Sequence, residues 1–222
     1  GYAARVRAVT AEDVAAAGRR VLLLDRPGAP QSVLVGAELV PPRGGPEEAA
    51  LDVLNTVLGG SFVSRLNMNL REDKGWSYGA RSHFRDVRGP RALMAMASVQ
   101  TDRTAESLAE MVKEIEGIAG ARPVTAEELE RAKSGMTLTL PGRWESTRNL
   151  SESLREMVNF GLPEGWFDGY AARVRAVTAE DVAAAGRLLR PGSVVWVVIG
   201  DRAKVEEKVR ALGIAEVEVM EP

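Results

Sequence analysis

The chain has no cysteine and a single histidine, His83, among its 222 residues. The lack of cysteine excludes a disulfide framework, a zinc ribbon, an iron–sulfur site and a thiol nucleophile. One imidazole cannot serve a metal site that needs two, so HExxH and its inverted form are excluded. It leaves little room for a Ser-His-Asp triad. No GxxxxGK[ST] or GxGxxG phosphate cradle occurs. An excess of one charge is also missing: 29 basic side chains face 31 acidic ones, for a net charge of −2. A nucleic-acid partner is therefore not expected, because displacing counterions from phosphates takes a basic surface. Long apolar runs are absent as well. The stretch 194–199 falls far short of the roughly 18 residues of a membrane span, so no membrane partner is expected either. The reading is of a water-soluble chain of bacterial type, with cytoplasm and periplasm both open. It starts at Gly1 with neither an initiator Met nor a signal-peptide pattern, as a piece of a longer polypeptide would.

What is present is the composition of a globular domain, 45% hydrophobic and 27% charged, and long enough to bury a core. It also holds an internal repeat. Residues 1–19 and 169–187 both read GYAARVRAVTAEDVAAAGR. A solenoid needs at least three stacked units, and nothing similar lies between these two. An old domain duplication would not keep one segment identical while the rest diverged. The expectation is a sequence-assembly feature or an upstream-domain remnant over 1–20, ahead of one domain over 21–222, with recent partial gene duplication the next explanation. Each copy carries helical punctuation: Thr10 with Asp13, and Thr178 with Asp181, in capping-box spacing.

Strands are expected at 21–25, 31–40, 76–87, 91–101, 193–199 and 215–220 from short apolar or alternating runs bounded by Gly and Pro. The stripe Ala50, Val53, Leu54, Val57, Leu58 marks an amphipathic helix closed by Gly59-Gly60. Further helices are expected at 62–73 with Gly75 as its C-cap, around Leu108 to Ala119, at 125–139 capped by Thr125 and Glu128, at 143–160, within 169–187, and at 202–212. Strands joined by short turns pair antiparallel. The natural architecture is α+β: a two-layer sandwich, mostly antiparallel sheet with helices packed on one face. In the third strand Trp76, Tyr78, Ala80 and Phe84 should share one face, and Arg81, His83 and Arg85 the other.

Three stretches carry a family resemblance. The first is Leu54-Asn55-Thr56-Val57-Leu58-Gly59-Gly60-Ser61-Phe62-Val63-Ser64-Arg65-Leu66 with Leu70-Arg71-Glu72-Asp73-Lys74-Gly75-Trp76-Ser77-Tyr78. The second is Leu140-Pro141-Gly142-Arg143-Trp144-Glu145-Ser146 with Gly161-Leu162-Pro163. The third is Val177-Thr178-Ala179-Glu180-Asp181-Val182, leading to Val197-Val198-Ile199-Gly200-Asp201. In order and spacing the chain resembles the C-terminal domain of pitrilysin/insulinase-type zinc peptidases, the processing-peptidase group, over about 21–201. Asn67 departs from the pattern, since many relatives place an aromatic there.

The resemblance implies a chamber built of repeated α+β domains. One domain holds zinc through an HxxEH helix, and another supplies an Arg and a Tyr seven residues apart, which match Arg71 and Tyr78. It implies no cofactor in this chain, zinc in a partner or upstream domain, a homo- or heterodimeric arrangement, and a peptide substrate. Arg71 would grip substrate carbonyls and Tyr78 would donate to the oxyanion. The blander readings make Tyr78 a half-buried strand tyrosine and Arg71 a solvated helix end. They make His83 an exposed strand residue, Glu72-Asp73 a solvated helix end, Trp166 with Phe167 a core anchor, and Glu206-Glu207-Lys208 a solvated helix face. A non-enzymatic scaffold subunit of the same fold is the alternative function.

Overall fold

The computed structural model describes residues 18–220, apart from the side chain of Arg143. The cap at Thr10 and Asp13, and nearly all of the first repeat copy, lie outside the described residues. The strands are β1 (Arg20–Asp25), β2 (Gln31–Val40), β3 (Ser77–Arg85), β4 (Arg91–Gln100), β5 (Val195–Gly200) and β6 (Glu216–Met220). The helices are α1 (Glu48–Asn55), α2 (Arg65–Asn67), α3 (Thr104–Glu116), α4 (Ala126–Leu138), α5 (Leu140–Arg143), α6 (Thr147–Phe160), α7 (Tyr170–Ala176), α8 (Ala179–Gly186) and α9 (Arg202–Ala211). Wide π-type turns extend α1 over Thr56–Gly60, α2 over Met68–Asp73 and α3 over Gly117–Ala121. The second repeat copy forms two helices, parted at Val177, where the backbone turns extended. Thr178 and Asp181 cap α8 reciprocally, and Thr125 and Glu128 do the same for α4, as their spacing predicts.

One mixed sheet runs in the order β3-β4-β2-β5-β1-β6. The β3–β4 hairpin is antiparallel, as expected from its short turn. The short turn between β1 and β2 does not make a hairpin. β5 lies between them, parallel to β1 and antiparallel to β2, and β6 runs parallel to β1 on the outer side. Tight turns permit pairing but do not require it, and the apolar strand β5 fills the interior position instead.

Alternation puts Val21, Leu23, Leu34, Ala95, Ala97, Val99, Trp196 and Val198 on the face that packs against the helices, all essentially buried. Gly36 stands opposite Trp196, and a Cβ there would fall 2.7 Å from the indole, so the tryptophan takes the place of a side chain. Val33, Val35, Met94, Met96, Val197 and Ile199 occupy the other face and are only half-buried. α1 seals the layer with the predicted stripe, and Val53, Leu54 and Leu58 are fully buried.

Two buried polar features sit in this core. Arg91, with no exposed surface, holds both carboxylate oxygens of Glu48 at 2.8 and 2.9 Å and stacks over Phe84. Arg43 joins Asp86 and Glu156 beside this pair, linking the β2–α1 loop, the β3–β4 turn and α6. Glu38 is the second feature. One oxygen accepts the Arg190 N–H at 2.8 Å, the other has no partner among the described residues, and burial pushes the carboxyl up to about 7.

Candidate functional site

Arg71 sits in the last turn of the α2 extension. That helix starts later than the periodicity suggests, at Arg65, because Ser61 and Ser64 are extended. Gly75 then turns the chain with φ of +64°, the conformation of a glycine C-cap, and its N–H donates to the Arg71 carbonyl at 3.1 Å. The Trp76 N–H closes the same turn on the Leu70 carbonyl at 2.9 Å. The Arg71 side chain is partly exposed. Its guanidinium carbon lies 4.9 Å from the centre of the Phe62 ring, and its Nε lies 3.2 Å from Glu72. A cation held on a ring face keeps its outward N–H groups free for a ligand.

Tyr78 is 89% exposed, which overturns both the half-buried reading and the shared face with Ala80. The cause is a β-bulge. Ser77 pairs with Val99 and Ala80 pairs with Ala97, so three steps on β3 match two on β4. The extra residue breaks the alternation and turns Tyr78 outward, while Ala80 and Ser82 resume the buried face. Ser77 pins the bulge: its hydroxyl donates to the Ser98 carbonyl at 2.7 Å and accepts the Gly79 N–H at 3.1 Å. The Tyr78 hydroxyl makes no hydrogen bond among the described residues.

Arg71 and Tyr78 line one cleft of about 370 Å³ together with Gln31, Trp76 and Gln100. A second hollow of about 460 Å³ holds Phe62, Asn67, Gly79, Arg81 and Met96. Phe62, 61% exposed, and Asn67 are the members that sequence reasoning did not place at the site. An aromatic directly after Gly59-Gly60-Ser61 was the available signal for Phe62, because an exposed ring in a loop packs on no core.

The donor set does not fit zinc. His83 is exposed on β3, and among the described residues no three His, Cys, Asp or Glu side chains cluster as a metal site would require.

The sequence model of the peptidase M16 inactive domain matches residues 3–136. The chain belongs to the peptidase M16 family. An uncharacterized zinc protease of Mycobacterium tuberculosis is 28% identical over 197 residues, which are 87% of this chain and 44% of that protein. The uncharacterized zinc protease YmxG of Bacillus subtilis is 33% identical over 99 residues, 45% of this chain and 24% of that one. The M16 domain described here thus spans less than half the length of the curated relatives it matches. Among solved structures, a peptidase M16 inactive domain from Pseudomonas fluorescens superposes with a TM-score of 0.75 at 24% identity, covering 82% of this chain and 43% of the other. A chain of complex III2 from Candida albicans gives 0.70 at 13% identity, covering 90% and 50%. At these identities the likeness is one of fold.

Other expectations resolve around the M16 domain's periphery. Glu72 and Asp73 are exposed, as a helix end should be. Trp166 and Phe167 are half-buried and stand outside the core cluster, which corrects the core-anchor reading. Phe167 meets Trp144 edge-on at 5.9 Å and Trp166 lies under Arg173 at 4.5 Å, so each ring has a partner away from the core cluster. None of the described helices is long and apolar enough to cross a membrane.

Proposed function

We propose that this domain completes the active site of a zinc metalloendopeptidase whose metal is held by another domain or subunit. In this reading Arg71 grips the backbone carbonyls of an extended peptide, and the Tyr78 hydroxyl donates to the scissile carbonyl oxygen as negative charge gathers on it. The observation that carries the reading is the bulge. It turns a tyrosine with an uncommitted hydroxyl into the cleft that also holds Arg71. The half-buried sheet face beside it, with Val33, Met94 and Met96, offers an apolar wall to the side chains of a bound peptide.

The test is steady-state cleavage of a quenched peptide by the domain recombined with its zinc-bearing partner. Tyr78→Phe should lower kcat about 100-fold or more, the scale of one oxyanion donor. Its unfolding curve should not move, since only an exposed hydroxyl is lost. Arg71→Ala should raise KM as well as lower kcat. Full activity of Tyr78→Phe refutes the Tyr78 assignment, and a wild-type recombination that cleaves no peptide favours the scaffold alternative, whose fold a chain of complex III2 shares.

A further inference from the structure

Asn67 is 5% exposed, and its amide is spent on two segments of the chain. Its Nδ2 donates to the Phe62 carbonyl at 2.7 Å. Its Oδ1 accepts the Ala80 N–H at 3.2 Å. Each segment supports one of the two site residues. Phe62 carries the ring on which the Arg71 guanidinium rests. Ala80 is the residue at which β3 recovers its register after the bulge that presents Tyr78. β3 is the edge of the sheet, so a buried N–H on its outer side has no strand to pair with and must find a side chain.

We propose that Asn67 is a positioning residue that fixes Arg71 and Tyr78 relative to each other, acting through Phe62 on one side and the bulge on the other. The inference rests on the peptide-binding roles of Arg71 and Tyr78 given above. The two hydrogen bonds separate by chemistry. An aspartate at 67 keeps an acceptor for the Ala80 N–H but has no donor for the Phe62 carbonyl. An alanine loses both.

The test is a double-mutant cycle in the enzyme recombined with its zinc-bearing partner. Asn67→Ala should lower kcat about tenfold or more, because a misplacement on the order of 1 Å is enough for that. On a Tyr78→Phe background the same change should lower kcat by no more than about twofold, since the hydroxyl it positions is gone. Asn67→Asp should raise KM several-fold with kcat held within about threefold, the mark of a loosened Arg71 and a retained Tyr78. In this chain alone, hydrogen exchange at the Ala80 amide should speed up about tenfold or more in Asn67→Ala and stay near wild type in Asn67→Asp. If Asn67→Ala does not fold, the KM-against-kcat split of Asn67→Asp decides the matter. Additive losses in the cycle, or an Asn67→Asp whose kcat falls while KM stays fixed, overturn the proposal. A Tyr78→Phe that keeps full activity defeats the reading of the site itself and this inference with it. An impaired Tyr78→Phe beside a fully active Asn67→Ala defeats this inference alone.

Discussion

Replacing Glu38 with glutamine should change how stability depends on pH. Glu38 lies in the sheet with 6% of its surface exposed, one oxygen on the Arg190 N–H and the other without a partner among the described residues. Burial moves its carboxyl from an ordinary 4.5 to about 7 in the folded chain. The folded state therefore holds a proton that the unfolded state releases between these values. The stabilisation is fully present below the unfolded value and is lost as pH rises through the folded one. At 1.36 kcal/mol for each pH unit of separation, the loss between pH 5 and pH 8 is about 2–3 kcal/mol. Glutamine keeps an oxygen for the Arg190 N–H and does not titrate, so any fixed penalty for its amide is the same at both pH values. The stability difference, Glu38→Gln variant minus wild type, should rise by about 2–3 kcal/mol from pH 5 to pH 8. That corresponds to roughly 5–10 °C in Tm for a domain of this size. Asp52, also raised by burial and by the charge of Glu48, to about 6, is common to both proteins and cancels. The assay is urea unfolding followed by tryptophan fluorescence at several pH values. Parallel stability curves for the two proteins would refute the argument and show that Glu38 reaches water.

Further changes test the fold and its metal chemistry. Gly59→Ala should destabilise by about 1–3 kcal/mol, because a Cβ there would stand 2.3 Å from the Ser82 backbone nitrogen, and thermal unfolding reads the loss directly. Arg91→Ala should cost about 3–5 kcal/mol in urea unfolding by removing the two-pronged partner of the buried Glu48 carboxylate, which keeps the Gly44 N–H at 3.0 Å and Arg43 at 3.5 Å, and an unchanged midpoint would mean that these or water suffice for Glu48. The isolated chain should hold no stoichiometric zinc after dialysis, and one tightly bound zinc per chain by elemental analysis would contradict the donor-set argument. Removing residues 1–17 should shift Tm by no more than a few degrees. The cut stops there because the Arg19 guanidinium donates to the Pro191 carbonyl at 2.8 and 3.1 Å.

The six strands and most helix ends were legible because they rest on local chemistry. Thr125 with Glu128, Thr178 with Asp181, and Gly75 each act within a few residues of chain. The neighbours of β1 were not legible. An apolar run reports that a strand is buried, not which strand lies beside it, and β5 and β6 come from the far end of the chain. The seven-residue spacing of Arg71 and Tyr78 matched the pair that the resemblance implies, but the face of Tyr78 came out wrong. Strict alternation assumes unbroken register, and the bulge between Ser77 and Ala80 has no mark in the sequence beyond Ser77 and Gly79. Asn67 looked like a local irregularity. Its use became visible only once residues 62 and 80, far apart in sequence from each other, stood on either side of it.

The position of β1 has a consequence for how the chain is made. β1 is among the first described segments to leave the ribosome, yet both its partners lie within residues 195–220. Until those residues emerge, Val21 and Leu23 have no strand on either flank, and the β2–β4–β3 part of the sheet ends in an unfilled edge at β2. Long-range pairing of this kind slows folding and leaves open strands exposed to other chains. A nascent chain halted near residue 190 should thus hold a paired β2–β4–β3 unit and a loose apolar leader. That makes the arrival of β5 and β6 the step that completes the sheet.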